Sequence, residues 1–155
     1  MRILNDRTYL RIKINKVDKT AVLNKANEMN KNTLMEVLEI EYTDIGADFV
    51  EARMPVTPKV HQPMGLLHGG ANAALAESIG SLGSYVILND PDLAVVGIEV
   101  NANHIKSVRD GYVFARGNLL HKGSKTHVWE IKIHNKSGDL LSICRLTNMV
   151  LSKKK

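Results

Sequence analysis

The order of apolar and polar residues along the chain predicts a hairpin, one long helix and then four strands. Leu38, Ile40 and Tyr42 alternate with glutamates, the period of two typical of a strand, and residues 49–54 supply its partner. Beyond a proline-marked loop, residues 69–88 are rich in alanine and long enough for a helix. Apolar, β-branched runs separated by turn residues follow at 93–103, 111–121, 126–135 and 140–151. This α+β order lacks βαβ alternation, which argues against a parallel nucleotide-binding sheet.

The long helix has apolar or small residues on nearly every side, so an antiparallel sheet of about six strands is expected to wrap it. Glycine costs a helix about 1 kcal/mol relative to alanine, so Gly80 and Gly83 indicate a backbone pressed against strands or against the helix of another subunit. Upstream, Asp18 can cap a shorter helix in which Val22 and Ala26 share a face.

Size and composition narrow the class of protein. The chain has 155 residues, 44% hydrophobic and 24% charged, which fits one folded domain and excludes disordered, collagen-like and coiled-coil chains. Cys144 is the single cysteine and cannot form an internal disulfide, and the charged first twenty residues do not resemble a signal peptide. We therefore expect a cytoplasmic protein that does not cross a membrane.

The formal charge of +5 is distributed unevenly. Residues 1–20 carry a surplus of four positive charges and residues 101–151 a surplus of five. A basic second half suits a small phosphorylated ligand as well as it suits nucleic acid. Because only seven aromatic residues are available for base stacking, nucleic-acid binding through the basic ends ranks last among the functions considered.

Glu77 is the only formally charged residue between Lys59 and Asp90. A lone buried carboxylate costs several kcal/mol unless it has a partner, a water or a chemical role. The ordinary interpretation is that Glu77 joins a structural network with Ser81, one turn on, or faces solvent where the helix surfaces. The functional interpretation is that its carboxylate reacts.

The start of the same helix favours the functional interpretation. Gly69 and Gly70 follow His68, and glycines at a helix N-terminus leave backbone N–H groups bare at the positive end of the helix dipole. Such groups are suited to a developing oxyanion, which is half of an acyl-transfer site. The alternatives are a tight turn into the helix and a structural histidine.

The distance between these two features predicts a dimer. Glu77 lies eight residues beyond Gly69, about 12 Å along a helix axis, whereas an attacking atom must come within about 3–3.5 Å of the carbon it attacks. If both features serve one carbonyl, Gly69 of one subunit must face Glu77 of another across a two-fold axis.

Residues 62–81, QPMGLLHGGANAALAESIGS, closely resemble the motif of hotdog-fold acyl-CoA thioesterases of the PaaI-like type, which includes the phenylacetate-pathway, 4-hydroxybenzoyl-CoA and dihydroxynaphthoyl-CoA hydrolases. The resemblance continues through residues 96–104 (VGIEVNANH), 128–131 (VWEI) and 144–147 (CRLT), and covers about 18–151. It implies a hotdog domain over residues 18–155, preceded by a basic N-terminal extension, residues 1–17. That extension is either an added edge strand or a disordered arm.

The resemblance implies hydrolysis of an acyl-CoA thioester. Glu77 carries over as nucleophile or general base, and the sequence does not separate the two roles. Gly69 carries over as the backbone donor to the thioester carbonyl, supported by Gln62 and His68, and Ser81 is placed to hold the carboxylate or its water. No metal or separate cofactor is expected, since coenzyme A is part of the substrate and no zinc-binding spacing is present.

The same resemblance assigns the walls of a coenzyme A groove. Two segments and one glycine carry over, and ordinary turn chemistry is the alternative for each of them: Gly97; His104, Ile105, Lys106 and Ser107; and His121, Lys122, Gly123, Ser124, Lys125 and Thr126.

The sequence thus predicts a dimeric acyl-CoA thioesterase in which two dimers pair again into a tetramer. A non-catalytic acyl-CoA-binding protein of the same fold is the alternative. A hydratase is the nearest enzymatic rival, but the aspartate–histidine motif usual in hydratases of this architecture is missing. Aromatic, hydroxyaromatic and medium aliphatic acyl groups, on coenzyme A or on acyl-carrier protein, all remain open.

Overall fold

A computed structural model describes residues 19–153, so the extension at 1–17 and its two interpretations lie outside the described residues. The helices and strands have these bounds: α1 Lys19–Met29, α2 Leu34–Val37, β1 Glu41–Ile45, β2 Phe49–Pro55, a 3₁₀ turn Pro58–Val60, β3 His61–Gln62, β4 Leu66–Leu67, α3 Gly69–Leu88, β5 Leu93–His104, β6 Tyr112–Lys122, β7 Thr126–Asn135 and β8 Leu140–Ser152.

Six strands form one antiparallel sheet in the order β1-β2-β6-β7-β8-β5, and α3 packs across it. This is the hotdog fold, and the predicted fold class is confirmed. No helix within residues 19–153 is long and apolar enough to cross a membrane.

The first strand begins later than the alternation at 38–42 predicts. Residues 34–37 form the short helix α2, and Glu39 adopts a positive φ of 56° in the turn that ends it. The amide of Ile40 bonds back to the carbonyl of Met35 at 2.9 Å, a bond typical of a helix end. A second difference is the small hairpin of β3 and β4 within the predicted loop.

The glycines in α3 confirm the expectation of close packing, and the neighbour is the sheet. A Cβ atom at Gly80 would lie 2.5 Å from Leu146, and one at Gly83 would lie 2.4 Å from the Trp129 ring. The indole of Trp129 donates to Ser84 Oγ at 2.9 Å, which fixes the helix over β7. Nearer the middle of α3, the buried Tyr42 hydroxyl donates to the carbonyl of Ser78 at 3.2 Å, and burial raises the pKa of Tyr42 to about 12.

Within residues 19–153, strand β5 forms one edge of the sheet along its twelve residues and has no strand paired on its outer side. Val96, Ile98 and Val100 are 41%, 50% and 38% exposed, whereas the inward-facing Val113, Ile131 and Leu146 of the other strands are fully buried. A long, apolar, unpaired edge is a template for pairing with another strand. The fold therefore presents an open edge close to the predicted site residues.

Candidate active site

The N-terminus of α3 leaves one backbone donor free where the sequence predicts two. His68 caps the helix, and its ring Nδ1 accepts the N–H of Gly70 at 2.8 Å. Within residues 19–153, the N–H of Gly69 has no hydrogen-bond partner. Gly69 is thus the donor available to a ligand, and His68 acts by occupying the neighbouring amide.

A cleft of about 420 Å³ opens beside Gly69. Six of the predicted site residues line it together: Gln62, Gly69, His104, Ile105, Lys106 and Ser107. The remaining lining residues are mostly apolar and were not predicted: Leu66, Leu67, Asn72, Val108 and Leu141. The structure therefore brings together the predicted carbonyl donor and residues 104–107, one of the two segments of the predicted coenzyme A groove.

A tight turn holds Gln62 at the cleft. Its side-chain oxygen accepts the N–H of Met64, and Gly65 adopts a positive φ of 73°. Arg109 fastens the turn from outside by donating to the carbonyl of Met64 at 3.1 Å. Because the Gln62 oxygen is engaged within the turn, its amide N–H groups remain for the cleft.

His104 packs directly on Gly69. A Cβ atom at position 69 would lie 2.4 Å from His104 Nε2, so the ring requires glycine there. The hydroxyl of Ser142 donates to the carbonyl of Asn103 at 3.0 Å and lies 3.3 Å from His104 Nδ1. Since that proton is already used, a neutral His104 ring donates from Nδ1 and keeps a lone pair on Nε2, on the Gly69 side.

Glu77 lies outside the cleft and over strand β5. A Cβ atom at Gly97 would lie 2.6 Å from Glu77 Oε1, so Gly97 belongs beside the carboxylate and is not among the residues that line the cleft. Glu77 is exposed in the single chain, which matches the solvent-facing alternative raised from the sequence and not the burial. Ser81 is half-buried one turn further on, and no hydrogen bond joins it to Glu77 in the described residues.

The second segment of the predicted coenzyme A groove, residues 121–126, is at the far end of the sheet. Thr126 pairs with Met149, in the row that contains Val96, whereas Ser142 pairs with His104 beside the cleft. Ser142 and Met149 are seven positions apart in β8, so the two rows are about 23 Å apart at the rise of a strand. Residues 121–126 and 104–107 therefore cannot contact one ligand group within a single chain.

Charge at the cleft is partly neutralised. Lys106 Nζ lies 2.9 Å from Asp139 Oδ1, and hydrogen bonds from Lys106 and Asn135 hold the pKa of Asp139 below its usual value. Within residues 19–153, no group of three or more His, Cys, Asp or Glu side chains could hold a metal ion.

Asn72 is the polar cleft residue that the sequence reasoning missed. It interrupts an otherwise apolar stretch between Gly70 and Glu77, and that interruption was the available signal. Asparagine is a poor helix former, so its presence in the first turn of α3 indicates a role other than stabilising the helix.

The sequence is similar to those of known thioesterases. A family model described as the thioesterase superfamily matches residues 64–142. The 1,4-dihydroxy-2-naphthoyl-CoA hydrolase of Escherichia coli K12 is 43% identical over 129 residues, covering 83% of this chain and 94% of that protein. The proofreading thioesterase EntH of Cronobacter turicensis is also 43% identical over 129 residues, covering 83% and 93%.

The chain is also similar to solved structures of thioesterases. The crystal structure of the thioesterase HI1161 from Haemophilus influenzae has a TM-score of 0.80 and 40% identity, covering 84% of this chain and 90% of that one. A mutant of the thioesterase PA1618 from Pseudomonas aeruginosa has a TM-score of 0.83 and 40% identity, covering 84% and 94%.

Proposed function

The chain belongs to the thioesterase superfamily and is a thioester hydrolase, and from this premise we propose that it hydrolyses acyl-CoA at a site shared between two subunits. The observation that supports a shared site is the separation of the carbonyl donor from the carboxylate within one chain. The free N–H of Gly69 opens into a cleft, while the Glu77 carboxylate lies over the unpaired strand β5. One subunit supplies the carbonyl donor and the other the carboxylate.

Antiparallel pairing of β5 with β5 of a second copy is the proposed way of joining them. Val100, Ala102 and His104 pair with residues of β8 that are buried under α3, so they share its face, whereas Asn101 and Asn103 are on the outer face. Opposed residues of neighbouring strands point to the same face. A two-fold axis through Asn101 satisfies this rule. It sets His104 opposite the shift in strand register that lies between Gly97 and Glu99 of the partner subunit.

That register supports the chemistry. Glu77 is above Gly97, so Glu77 of the partner subunit comes to the cleft beside His104 and Gly69. Because the paired strands run in opposite directions, the hairpin 121–126 of the partner subunit also approaches the His104 end. Its Lys122 and Lys125, together with residues 104–107, then form the proposed groove for the coenzyme A phosphates.

Two reaction routes use these groups. In the first, Glu77 removes a proton from water as the water oxygen bonds to the carbonyl carbon, and Gly69 N–H stabilises the oxyanion. The C–S bond then breaks, and the proton passes from Glu77 to the coenzyme A thiolate. In the second, a Glu77 oxygen attacks the same carbon, the thiolate leaves, and water cleaves the resulting mixed anhydride. Ser81 is proposed to hold the carboxylate or its water, with Gln62 supporting the carbonyl side.

The relatives' names point to a substrate class. One relative is a 1,4-dihydroxy-2-naphthoyl-CoA hydrolase and another a proofreading thioesterase. We therefore place aromatic and hydroxyaromatic acyl-CoA first, ahead of medium aliphatic acyl-CoA. A cytoplasmic homotetramer of two such dimers remains part of the proposal.

The test is turnover of a panel of aryl, hydroxyaryl and aliphatic acyl-CoA and acyl-carrier-protein thioesters by the wild type and by Glu77→Gln. We expect aryl-CoA turnover, reduced by about three or more orders of magnitude in a Glu77→Gln protein that stays folded. Glu28→Gln, which changes an exposed carboxylate on α1, is the matched control and should leave turnover unchanged. Equal rates for Glu77→Gln and the wild type would contradict the role of Glu77, and binding without turnover would indicate the non-catalytic alternative.

A further inference from the structure

Asn72 has a buried side-chain amide that makes no hydrogen bond within residues 19–153. It is 5% exposed and lines the cleft together with Gly69 and His104. Its Oδ1 is fully buried without a partner among the described residues. Buried polar side chains are usually paired, so an unpaired one in a cleft calls for a functional explanation.

The orientation of the amide identifies the group that meets the cleft. Nδ2 is absent from the buried unpartnered atoms and has no protein partner within residues 19–153, so it is the atom that reaches the cleft. Reversing the amide would bury two N–H donors with no acceptor, which is less favourable than burying one oxygen. Asn72 therefore offers the cleft a hydrogen-bond donor.

Helix geometry directs this donor toward Gly69. Asn72 is three residues after Gly69, so the two are neighbours on one face of α3. The Cα–Cβ bond of a helical residue tilts toward the helix N-terminus, which leans the Asn72 side chain back over the first turn. The N–H of Gly69 and the Nδ2 of Asn72 then converge on the same part of the cleft.

We infer that Asn72 supplies the second donor of the oxyanion hole, so that the thioester oxygen accepts one hydrogen bond from Gly69 N–H and one from Asn72 Nδ2. This inference rests on the proposed function. No proton changes owner in the step: as the nucleophile bonds to the carbonyl carbon, the carbonyl electron pair moves to oxygen, and both donors bind the resulting charge. Two fixed donors are the usual arrangement where an acyl-transfer oxyanion forms.

The residue's cost to the helix makes the inference testable. Alanine is a better helix former than asparagine, and Asn72→Ala also removes the unpaired buried oxygen. We expect Asn72→Ala to melt at a higher temperature than the wild type while its kcat falls about 100-fold, with KM changed less than threefold. Asn72→Asp, of the same shape but without the donor, should lose at least as much kcat.

Asn30→Ala is the matched control. Asn30 is also buried, but its Nδ2 donates to the carbonyl of Ile40 at 2.9 Å, away from the cleft. This variant should melt at a lower temperature and keep the wild-type kcat, the opposite of Asn72→Ala.

A spectroscopic measurement separates a donor from a residue that only shapes the cleft. In the Glu77→Gln protein, the stretching frequency of a ¹³C-labelled thioester carbonyl of bound benzoyl-CoA should lie below its value in solution. Adding Asn72→Ala should move it back toward that value. An unchanged frequency, or a kcat for Asn72→Ala within twofold of the wild type, would overturn the inference. If the wild type turns over no thioester, the proposed function fails, while the frequency of bound benzoyl-CoA still tests Asn72.

Discussion

Gly97 is the residue whose missing side chain leaves room for the Glu77 carboxylate. A Cβ atom there would lie 2.6 Å from Glu77 Oε1, the end of a flexible and exposed side chain. In Gly97→Ala the carboxylate can move aside, so we expect little loss of stability but a kcat about 10–100-fold lower, because displacing a reacting group by about 1 Å has that effect. Steady-state kinetics and thermal melting measure the two quantities.

A double mutant supplies the control for Gly97. If Gly97→Ala acts through the carboxylate, adding it to Glu77→Gln should change kcat no further, since interacting residues are not additive. A further loss in the double mutant would show that Gly97 acts on something else, such as coenzyme A.

His127 makes the stability of the protein sensitive to acid. It is fully buried on β7, and neither ring nitrogen has a hydrogen-bond partner within residues 19–153. Burial, with the charges of Lys122 and His121, outweighs the nearby backbone of Gly123, which favours the charged ring, and holds the pKa of His127 below its usual value. In the unfolded chain the ring binds a proton below about pH 6.5, so the unfolded state binds more protons and stability falls as the pH drops below that value.

We expect the free energy of unfolding to fall by up to about 1.4 kcal/mol between pH 7.5 and pH 5.5, because the His127 ring then titrates only in the unfolded chain. Urea unfolding of the wild type and of His127→Leu at both pH values measures it. The variant should lose less stability than the wild type over this range, and equal losses would mean that other groups cause the acid sensitivity.

Single residues also show where sequence reasoning ends. The isolation of Glu77 in charge and the glycines at 69–70 identify the candidate site from the sequence. Which glycine N–H is free depends on how the His68 ring folds back, and the position of Gly97 under Glu77 depends on strand register. Neither is visible in residue order.

At the scale of elements, β5 is the strand through which a second copy is proposed to join. Asn101 on the two-fold axis gives a specific geometry, because residue 101 then faces itself across the interface. Opposed Cα atoms of antiparallel strands are about 4.5–5.5 Å apart, within the range of a disulfide. We expect Asn101→Cys to form a covalent dimer under mild oxidation, seen on a non-reducing gel.

Asn103→Cys is the matched control, on the same outer face two residues along. In the proposed register it faces position 99 of the partner subunit, and the two copies of position 103 are about 14 Å apart. Cys144 is buried and present in both variants, so it does not distinguish them. The proposed register would be contradicted if both variants cross-linked equally, or if only Asn103→Cys cross-linked.

The elements themselves were largely predictable. Long periodic segments gave α3 and the four-strand meander within a few residues of their observed ends. The first strand was placed too early because Leu38 and Ile40 alternate like a strand while belonging to the turn that ends α2. The β3–β4 hairpin was missed because each strand is only two residues long.

At the scale of the whole molecule, the sequence predicted that one chain cannot complete the site, from the helix rise between Gly69 and Glu77 alone. It also treated residues 104–107 and 121–126 as one groove. The strand pairing puts them at opposite ends of the sheet, and register is a long-range property that local patterns do not contain. Both separations are bridged by the same proposed two-fold axis.

Mixed dimers test that shared site as a whole. Gly69→Val removes the carbonyl side, since even a Cβ there would lie 2.4 Å from His104 Nε2, and Glu77→Gln removes the carboxylate. Each homodimer carries two sites with the same defect and should be nearly inactive. A heterodimer of the two variants carries one site with both defects and one site with neither.

Random mixing of equal amounts makes half of the dimers heterodimers, so the mixture should recover about a quarter of the wild-type activity per site. Different affinity tags on the two variants allow the heterodimer to be isolated. The isolated heterodimer should show about half of the wild-type activity per site. If each chain instead held a complete site, every site in the heterodimer would keep one defect and no activity would return. Recovery therefore requires that Gly69 and Glu77 of different subunits act on the same carbonyl, which no property of a single chain can imitate.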